Sequence, residues 1–566
     1  MSTLCVSEGS SKKPVQFEVP TTLAGLSGAV SIAPTGFLQV DQGIAKVVHH
    51  APEGEWENPS DSVQSGFWER CLLSIVTGLL WLFDKLGLLK TVMRGPVAGF
   101  VERGDLGHPC PELVEETVSR VAGMVHEEMN PDRPRESWPD LSARIHRKVA
   151  PGNEATVISS PTFKSEMEEL TDAKFSSGNK VKLLNDGPAA FDKRFRLIEK
   201  AKSRIQVLTF HLEDDATGKH FSQLLAEAAR RGVRVQVLVD AKVSGRQPNT
   251  DTLDLIKAAG GEIAYWDDTR SPLLSLHSKI FVADDQAILG GMNYGDAYSH
   301  GWQAEGATDQ YGKWRDTDIL MKGPAAVDCV KGFAERWNES LADGDTPMSL
   351  DEILPVTDFG KTDVTLERDK PVDLFPTTKT RDIDVAILNH RTGIDGDTRI
   401  TEAMLKLIWG AEKTIDIQNA YFLKLPPVHH ALVEAMKRGV RVRIQTNSLE
   451  TTCEPILAGP SLRAAKELLD AGAEVSLRTD RYIHSKSLVV DDEYSLVGSY
   501  NLHPRTIRYD CEINALVHSR EFARKLTDVF EYDLLPEHAT PMTATTEVPE
   551  GSLTTRFLER YFYEHI

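Results

Sequence analysis

Cysteine is scarce in this chain, and none of it is arranged for metal. Six cysteines, at positions 5, 71, 110, 329, 453 and 511, are spread through 566 residues with no CxxC pair and no histidine at ligand spacing. This argues against a disulfide framework and a zinc site. Basic charge is also in deficit: 64 Lys and Arg stand against 84 Asp and Glu, a formal net charge of −20. Recognition of a nucleic-acid backbone needs a surplus of cations on the surface, so a general nucleic-acid binder is disfavoured and only a local basic cleft stays open. Long hydrophobic runs are missing too. The most apolar stretch, Cys71 to Phe83, is stopped by Asp84-Lys85 after 13 residues, short of the roughly 20 that a membrane-crossing helix needs. A buried helix is the plain expectation for it. A helix lying in a membrane interface over residues 67–90, with Trp68 and Trp81 at headgroup level, is the functional one. The first twenty residues are polar and lack the apolar core of a secretory signal.

What is present has ordinary globular balance, 41% hydrophobic and 26% charged, and the length exceeds what one core organises. Residues 1–175 read as a mainly helical N-terminal region: weak alternation to residue 50, a helix-length apolar pattern over 65–104, then two helices over 109–147. In the last of these, Val114, Val118, Val121, Met124 and Val125 recur at three- and four-residue spacing. From Val181 the texture changes to helix 191–201, strand 205–211, helix 221–231, strand 233–240, helix 253–259 and strand 262–266. The same order returns as helix 400–411, strand 414–418, helix 431–438, strand 440–446, helix 461–469 and strand 474–477. Such alternation predicts a mainly parallel sheet covered on both faces.

Arg230-Arg231-Gly232-Val233-Arg234-Val235 matches Lys437-Arg438-Gly439-Val440-Arg441-Val442, and each glycine stands 45 residues before a His-Ser-Lys triplet. The chain is therefore an internal duplication of the α/β class. The first repeat occupies 176–345 and the second 385–535. An Asp-, Pro- and Thr-rich linker over 346–384 joins them, and a tail over 536–566 ends in a short docking helix.

The triplets open matching constellations. His277-Ser278-Lys279 is followed by Asp284 and Gly290-Gly291-Met292-Asn293, and His484-Ser485-Lys486 by Asp491 and Gly498-Ser499-Tyr500-Asn501. Residues two apart on a strand project the same way, so each imidazole is expected to share a pocket with its ammonium. Glycine lets the following turn bring backbone and amide donors close. A cation, an imidazole and neutral donors without metal ligands suit an oxyanion such as phosphate, and two such sets would surround one phosphodiester.

The doubled His-x-Lys-x4-Asp with Gly-Ser-x-Asn resembles the phospholipase D superfamily. Gly290 to Asp296, Trp314-Arg315-Asp316-Thr317 and Gly323-Pro324-Ala325 are similar to the first half of bacterial cardiolipin synthases. Asn419-Ala420-Tyr421-Phe422, Thr446-Asn447-Ser448-Leu449 and Gly498 to Arg505 are similar to the second half. The resemblance covers residues 180–535. It implies two tandem phospholipase D-like α/β/α domains in pseudo-twofold packing, acting on a glycerophospholipid through a covalent phosphohistidine, with water or an alcohol as acceptor and no cofactor or metal. It further implies that His277 attacks phosphorus and His484 serves as acid and base, imidazole suiting both tasks near neutral pH. Lys279, Lys486, Asn293 and Asn501, with Ser499, would hold the non-bridging oxygens. Asp316 and Glu512 would orient a histidine, and Asp284 and Asp491 would be structural.

The expected setting is cytoplasmic and peripheral on a membrane surface, with no nucleic-acid partner and the oligomeric state open. The rival is a metal-independent phosphodiesterase or nuclease of the same superfamily. Two departures bear on these expectations. The first copy has one residue fewer before its glycines, and its Met292 brings no hydroxyl. His503 and Tyr509-Asp510-Cys511 stand where cardiolipin synthases commonly have Asp and Leu-Asn-Thr. Elsewhere, His211 with Glu213 and Asp215 reads as loop polarity, and His429-His430 as cap or surface residues.

Overall fold

The computed structural model describes residues 137–150, 155–244, 251–268, 274–309, 312–341, 347–348, 380–391 and 397–549, with four short strands between residues 15 and 48. The chain divides into two units, the larger built on Pro134–Glu550. In the smaller, β1 (Val15–Phe17) pairs with β2 (Val30–Ile32) and β3 (Phe37–Asp41) with β4 (Ile44–Val48), both antiparallel. These strands fall in the stretch that the sequence marks only by weak alternation. The apolar run at 67–90, most of the helix pair over 109–147, most of the 346–384 linker and the docking helix at 552–561 lie outside the described residues.

In the larger unit, α1 (Trp138–Val149) and α2 (Phe163–Thr171) precede the first repeat. That repeat runs β5 (Ser176–Asn185), α3 (Gly187–Lys200), β6 (Arg204–Thr209), α4 (Ala216–Arg230), β7 (Arg234–Asp240), α5 (Asp251–Ala258), β8 (Glu262–Trp266), β9 (Ser275–Leu276), β10 (Ile280–Ala283), β11 (Gln286–Gly290), α6 (Asp296–Ser299), β12 (Thr317–Lys322) and α7 (Pro324–Glu339). The second runs β13 (Thr380–His390), α8 (Arg399–Gly410), β14 (Thr414–Asn419), α9 (Pro426–Lys437), β15 (Arg441–Asn447), α10 (Pro455–Asp470), β16 (Glu474–Arg478), β17 (Lys486–Val490), β18 (Tyr494–Gly498), α11 (Pro504–Tyr509), β19 (Asp510–His518), α12 (Arg520–Asp533) and β20 (Ala539–Pro541).

One sixteen-stranded sheet runs through both repeats in the order β20-β16-β15-β14-β17-β18-β19-β13-β5-β12-β11-β10-β6-β7-β8, with β9 off this path against β19. Read outward from the β13–β5 seam, the two halves have the same strand order. The sheet is not mainly parallel, which corrects the sequence expectation. Only β6-β7-β8 and β14-β15-β16 run parallel, apart from the short β9–β19 pair. Between them and the seam every pair is antiparallel. The reason lies in the connections. Helical crossovers force parallel neighbours, whereas the tight turns after Ala283 and Val490 can join only antiparallel strands.

The helices form where an apolar stripe meets a cap. Asp186 accepts from Gly187 N–H ahead of α3, which buries Phe191, Phe195 and Ile198; Asp215 accepts from Gly218 N–H at the start of α4, which buries Phe221, Leu224 and Leu225. At the seam the buried Asn179 donates to the carbonyls of Ser176 (2.7 Å) and Ile383 (3.0 Å) and accepts from Ala325 N–H (2.8 Å). This supplies bonds where the β5–β13 register shifts. Leu141, Ile145, Val149, Phe163 and Met167 of α1 and α2 belong to the core of the second repeat, not of the first that follows them. Lys148–Glu402 and Lys406–Glu166 ion pairs, each 2.7 Å, pin these helices to α8.

Candidate active site

Each His-Ser-Lys segment leaves its own half of the sheet before its strand begins. β9 pairs in parallel with the start of β19, and His277 N–H donates to the Cys511 carbonyl at 2.9 Å. In the mirror arrangement Arg315 N–H donates to the Tyr482 carbonyl at 2.8 Å and His484 N–H to the Arg315 carbonyl at 2.7 Å. Each histidine is thereby delivered to the other half's acidic residue. His277 Nδ1 lies 2.8 Å from Glu512 Oε1, and His484 Nδ1 lies 2.7 Å from Asp316 Oδ2. Both carboxyl groups are fully buried. With Nδ1 engaged, Nε2 is the nitrogen each ring presents to a ligand.

The lysines differ from the sequence expectation in one respect. The strands begin only at Ile280 and Lys486, so no regular strand carries both side chains of a triplet. Instead Lys279 Nζ and Lys486 Nζ turn back to donate to the carbonyls of His277 and His484. Lys279 also lies over the Phe210 ring at 5.3 Å. The two histidines and two lysines nevertheless act on one another electrostatically. Burial, then Lys279, Lys486 and His484, holds His277 well below the ordinary imidazole value. Burial and Lys486, against Asp316, bring His484 down to about 4. Burial brings Lys279 down to about 7 against Glu512, and Lys486 down to about 8 against Asp316 and Glu512.

The two carboxyl groups are shifted in opposite directions. Burial would raise Asp316, but the charge and hydrogen bond of His484, then Lys486, hold it below the usual carboxylate range. Its Oδ1 accepts from Thr317 N–H at 2.7 Å. Burial lifts Glu512 well above that range despite Lys279, and its Oε2 has no hydrogen-bond partner.

The turns after the glycines also differ. Asn293 Oδ1 accepts from Thr209 Oγ1 (3.2 Å) and His211 N–H (3.3 Å), and its Nδ2 donates to the Tyr298 hydroxyl (2.9 Å). Asn501 is equally buried, yet its Oδ1 has no partner. Ser499 Oγ donates to the Ile513 carbonyl (3.2 Å) and accepts from Ile513 N–H (3.0 Å), so its hydroxyl is engaged by backbone. Asp284 and Asp491 point elsewhere. Asp284 accepts from the N–H groups of Lys202, Ser203 and Arg204, and Asp491 from those of Glu412, Lys413 and Thr414. Each fastens the chain entering β6 or β14.

The rings around the two imidazoles are unequal. His277 meets Phe210 edge-on at 5.2 Å. His484 is flanked by Tyr298 (5.3 Å), Trp314 (5.4 Å) and Tyr482 (5.9 Å). His503 caps α11 by accepting from Thr506 N–H, and Tyr421 lies 5.9 Å from its ring. Burial, then Arg505 and Lys486, lowers His503 to about 3. His211 pairs with Glu213 at 2.7 Å beside Asn293, whereas His429 pairs with Glu467 at 3.3 Å on α9. Among the described residues no group of three His, Cys, Asp or Glu could hold a metal ion, and no helix is long and apolar enough to cross a membrane.

Sequence reasoning missed Asp318 and Asn514. Asp318 Oδ1 accepts from Met292 N–H (3.4 Å), and Asn514 Oδ1 from the N–H groups of Ser499 (3.2 Å) and Tyr500 (3.3 Å). They shape the turns that carry Asn293 and Asn501. A Cβ on Gly290 or Gly498 would sit 1.9 Å from Asp318 Oδ1 or 2.2 Å from Asn514 Oδ1, which is why glycine stands at both places. The signal was available: each lies two residues after the histidine-binding acid. A second missed group is Asp533, which binds Arg315 (2.9 Å) and Arg478 (2.7 Å) where Arg315 meets the His484 segment.

The fold is thus a duplicated α/β unit in which the histidine of each repeat meets an acid of the other. The sequence profile of the family described as "Cardiolipin synthase, PLD-like domain" matches residues 195–304 and 404–534, once in each half. Each half of the duplication thus carries a segment similar to this phospholipase D-like family. It is 27% identical over 374 residues to a "Cardiolipin synthase" of Listeria monocytogenes serotype 4b (strain CLIP80459), covering 65% of this chain and 71% of that protein. It is 29% identical over 370 residues to a "Cardiolipin synthase" of Staphylococcus aureus (strain Mu50), covering 64% and 68%. The crystal structure of a phosphatidylserine synthase from Haemophilus influenzae Rd KW20 is similar in fold, with a TM-score of 0.54 at 17% identity over 70% of this chain and 97% of that one.

Proposed function

We propose that this chain is a phospholipase D-type enzyme that cleaves or transfers the phosphatidyl group of a glycerophospholipid through a covalent phosphohistidine, with no cofactor. The observation that carries this reading is the crossed pairing of His277 with Glu512 and of His484 with Asp316, beside two buried lysines. Two imidazoles with Nδ1 occupied and Nε2 presented suit a two-step displacement in which one attacks and the other handles the proton.

The unequal acids support a direction. His277 is held well below the ordinary imidazole value and faces an acid that burial pushes towards neutrality. Its Nε2 lone pair attacks phosphorus as the P–O bond to the leaving alcohol breaks. His484 faces an ionised Asp316, and a bound phosphodiester anion adds to the charge that favours a proton on it. It gives that proton to the leaving oxygen, then takes one from water or an acceptor alcohol as that oxygen displaces His277 from phosphorus. Lys279 and Lys486 neutralise the non-bridging oxygens.

Transfer to an alcohol, as in cardiolipin synthesis, and hydrolysis to phosphatidic acid are branches of one intermediate, and the departures at His503 and 509–511 bear on which prevails. The enzyme acts from the cytoplasmic side at a membrane surface. The test is product analysis of the full chain with phosphatidylglycerol vesicles in EDTA, with and without a primary alcohol. Cardiolipin, a phosphatidyl-alcohol or phosphatidic acid supports the reading. No lipid product together with DNA cleavage in EDTA would transfer it to the nuclease branch.

A further inference from the structure

We infer that Tyr298 is a catalytic hydrogen-bond donor to the reacting phosphate, and that Asn293 acts through it as a positioning residue. The inference rests on the reaction proposed above and changes the role expected for Asn293. The amide orientation of Asn293 is fixed, because Oδ1 accepts from the His211 backbone N–H and from Thr209 Oγ1. Its Nδ2 therefore faces Tyr298 and donates to the phenol oxygen at 2.9 Å. A phenol whose oxygen accepts a hydrogen bond still has its own proton to place. Among the described residues that hydroxyl makes no other hydrogen bond.

Its position gives the proton a destination. Tyr298 is 5% exposed, with its ring 5.3 Å from His484 and 4.7 Å from Trp314. It thus stands in the wall of the composite site. Burial holds the phenol well above its ordinary value, with Asp316 and Glu213 adding to the effect against the Asn293 bond, so it stays protonated and able to donate. In a site holding two buried ammonium groups, the acceptor that arrives is an anionic phosphate oxygen.

The second half has no such residue. Five positions after Asn501, where Tyr298 stands five after Asn293, is Thr506, whose hydroxyl lies within reach of His503 and Asp510. Tyr298 therefore supplies the first half with the hydroxyl that Gly291-Met292 lacks.

The test uses the full chain and phosphatidylglycerol vesicles. Tyr298→Phe is expected to lower kcat on the order of 10²-fold with KM little changed, as removal of one preorganised donor does. Asn293→Ala is expected to lower kcat comparably in the native background and to add nothing in the Tyr298→Phe background. A native kcat in Tyr298→Phe, or losses that multiply in the double variant, would overturn the inference. A second arm does not depend on lipid turnover. Calorimetry with orthovanadate should show Tyr298→Phe binding at least about tenfold more weakly than the native chain, at an unchanged thermal midpoint; unchanged vanadate affinity, or none in the native chain, overturns it. If the native chain binds vanadate but makes no lipid product, the lipid reading fails while this arm still decides Tyr298.

Discussion

His277 and Glu512 are 235 positions apart in the chain and 2.8 Å apart at Nδ1 and Oε1. The mirror contact, His484 with Asp316, spans 168 positions at 2.7 Å. Neither His-Ser-Lys histidine pairs with the acid of its own half.

The two histidines should differ in what their loss leaves behind. His277→Ala and His484→Ala are each expected to lower lipid turnover on the order of 10³-fold or more, as loss of one member of a catalytic unit does. Only His484→Ala should still take up a phosphoryl group from a substrate with a good leaving group, seen as a mass increase in acid-quenched protein. Robust turnover in either variant would sink the assignment, and label trapped by His277→Ala would reverse it.

The two acids should differ as well. Asp316 is held ionised, so Asp316→Asn removes a charge and is expected to cost on the order of 10³-fold or more in kcat. Glu512 is pushed towards neutrality, and glutamine imitates a protonated carboxyl group. Glu512→Gln should cost about tenfold or less. Steady-state kinetics on the two variants decides the point, and equal losses would contradict the unequal charge states.

Activity and stability should move oppositely with pH. Lys279 and Lys486 are drawn down to about 7 and about 8, whereas an unfolded lysine sits near ~10.4. Activity should fall as these ammonium groups deprotonate above neutral pH. Between those values the unfolded chain holds more protons than the folded one, so these groups add stability as pH rises and withdraw it as pH falls. The burial cost at Lys486 is on the order of 3 kcal/mol. Lys486→Met should therefore lose turnover, raise the thermal midpoint at neutral pH and flatten its rise towards alkaline pH. A lower midpoint in that variant would refute the balance.

Asp533 should matter to the fold before it matters to the chemistry. It is fully buried between Arg315 and Arg478 and also accepts from Gln418 at 2.8 Å. Those cations hold it below the usual carboxylate range against its burial. Its contribution is present above the unfolded carboxylate value and lost as pH falls through the folded one. Asp533→Ala leaves two buried guanidinium groups short of a partner and should cost about 3–5 kcal/mol, measured by urea denaturation. A change below about 1 kcal/mol would show that the arginines have other support.

The repeat was legible because it is written in local chemistry. The Arg-Gly-Val turns, the apolar strands β6, β7, β14 and β15 and the His-Ser-Lys triplets recur in the same order in both halves, and β8 lies at its expected residues, 262–266. Antiparallel order near the seam was not legible, because hairpins such as Ala283–Gln286 join runs too short to separate by periodicity. Nor was the partnering of Asp316 and Glu512: spacing along the chain says which residues are acids, but not that β9 crosses to β19. The attachment of α1 and α2 to the second core is a contact across more than two hundred positions. The dipeptide Pro347-Met348 recurs as Pro541-Met542 after α12. In both places the methionine is buried.

The crossing of β9 to β19, and of each histidine to the other half's acid, also bears on ancestry. If the two halves had once been separate identical chains, the same contacts would have joined one molecule to its twin. Any substitution would then have struck both sides of the axis together. Asp316 opposite Glu512, Tyr298 opposite Thr506 and Met292 opposite Tyr500 are differences that such a symmetric pair cannot hold. Joining the copies in one polypeptide freed the two sides to specialise, and the inequality of the two histidines is the imprint of that freedom.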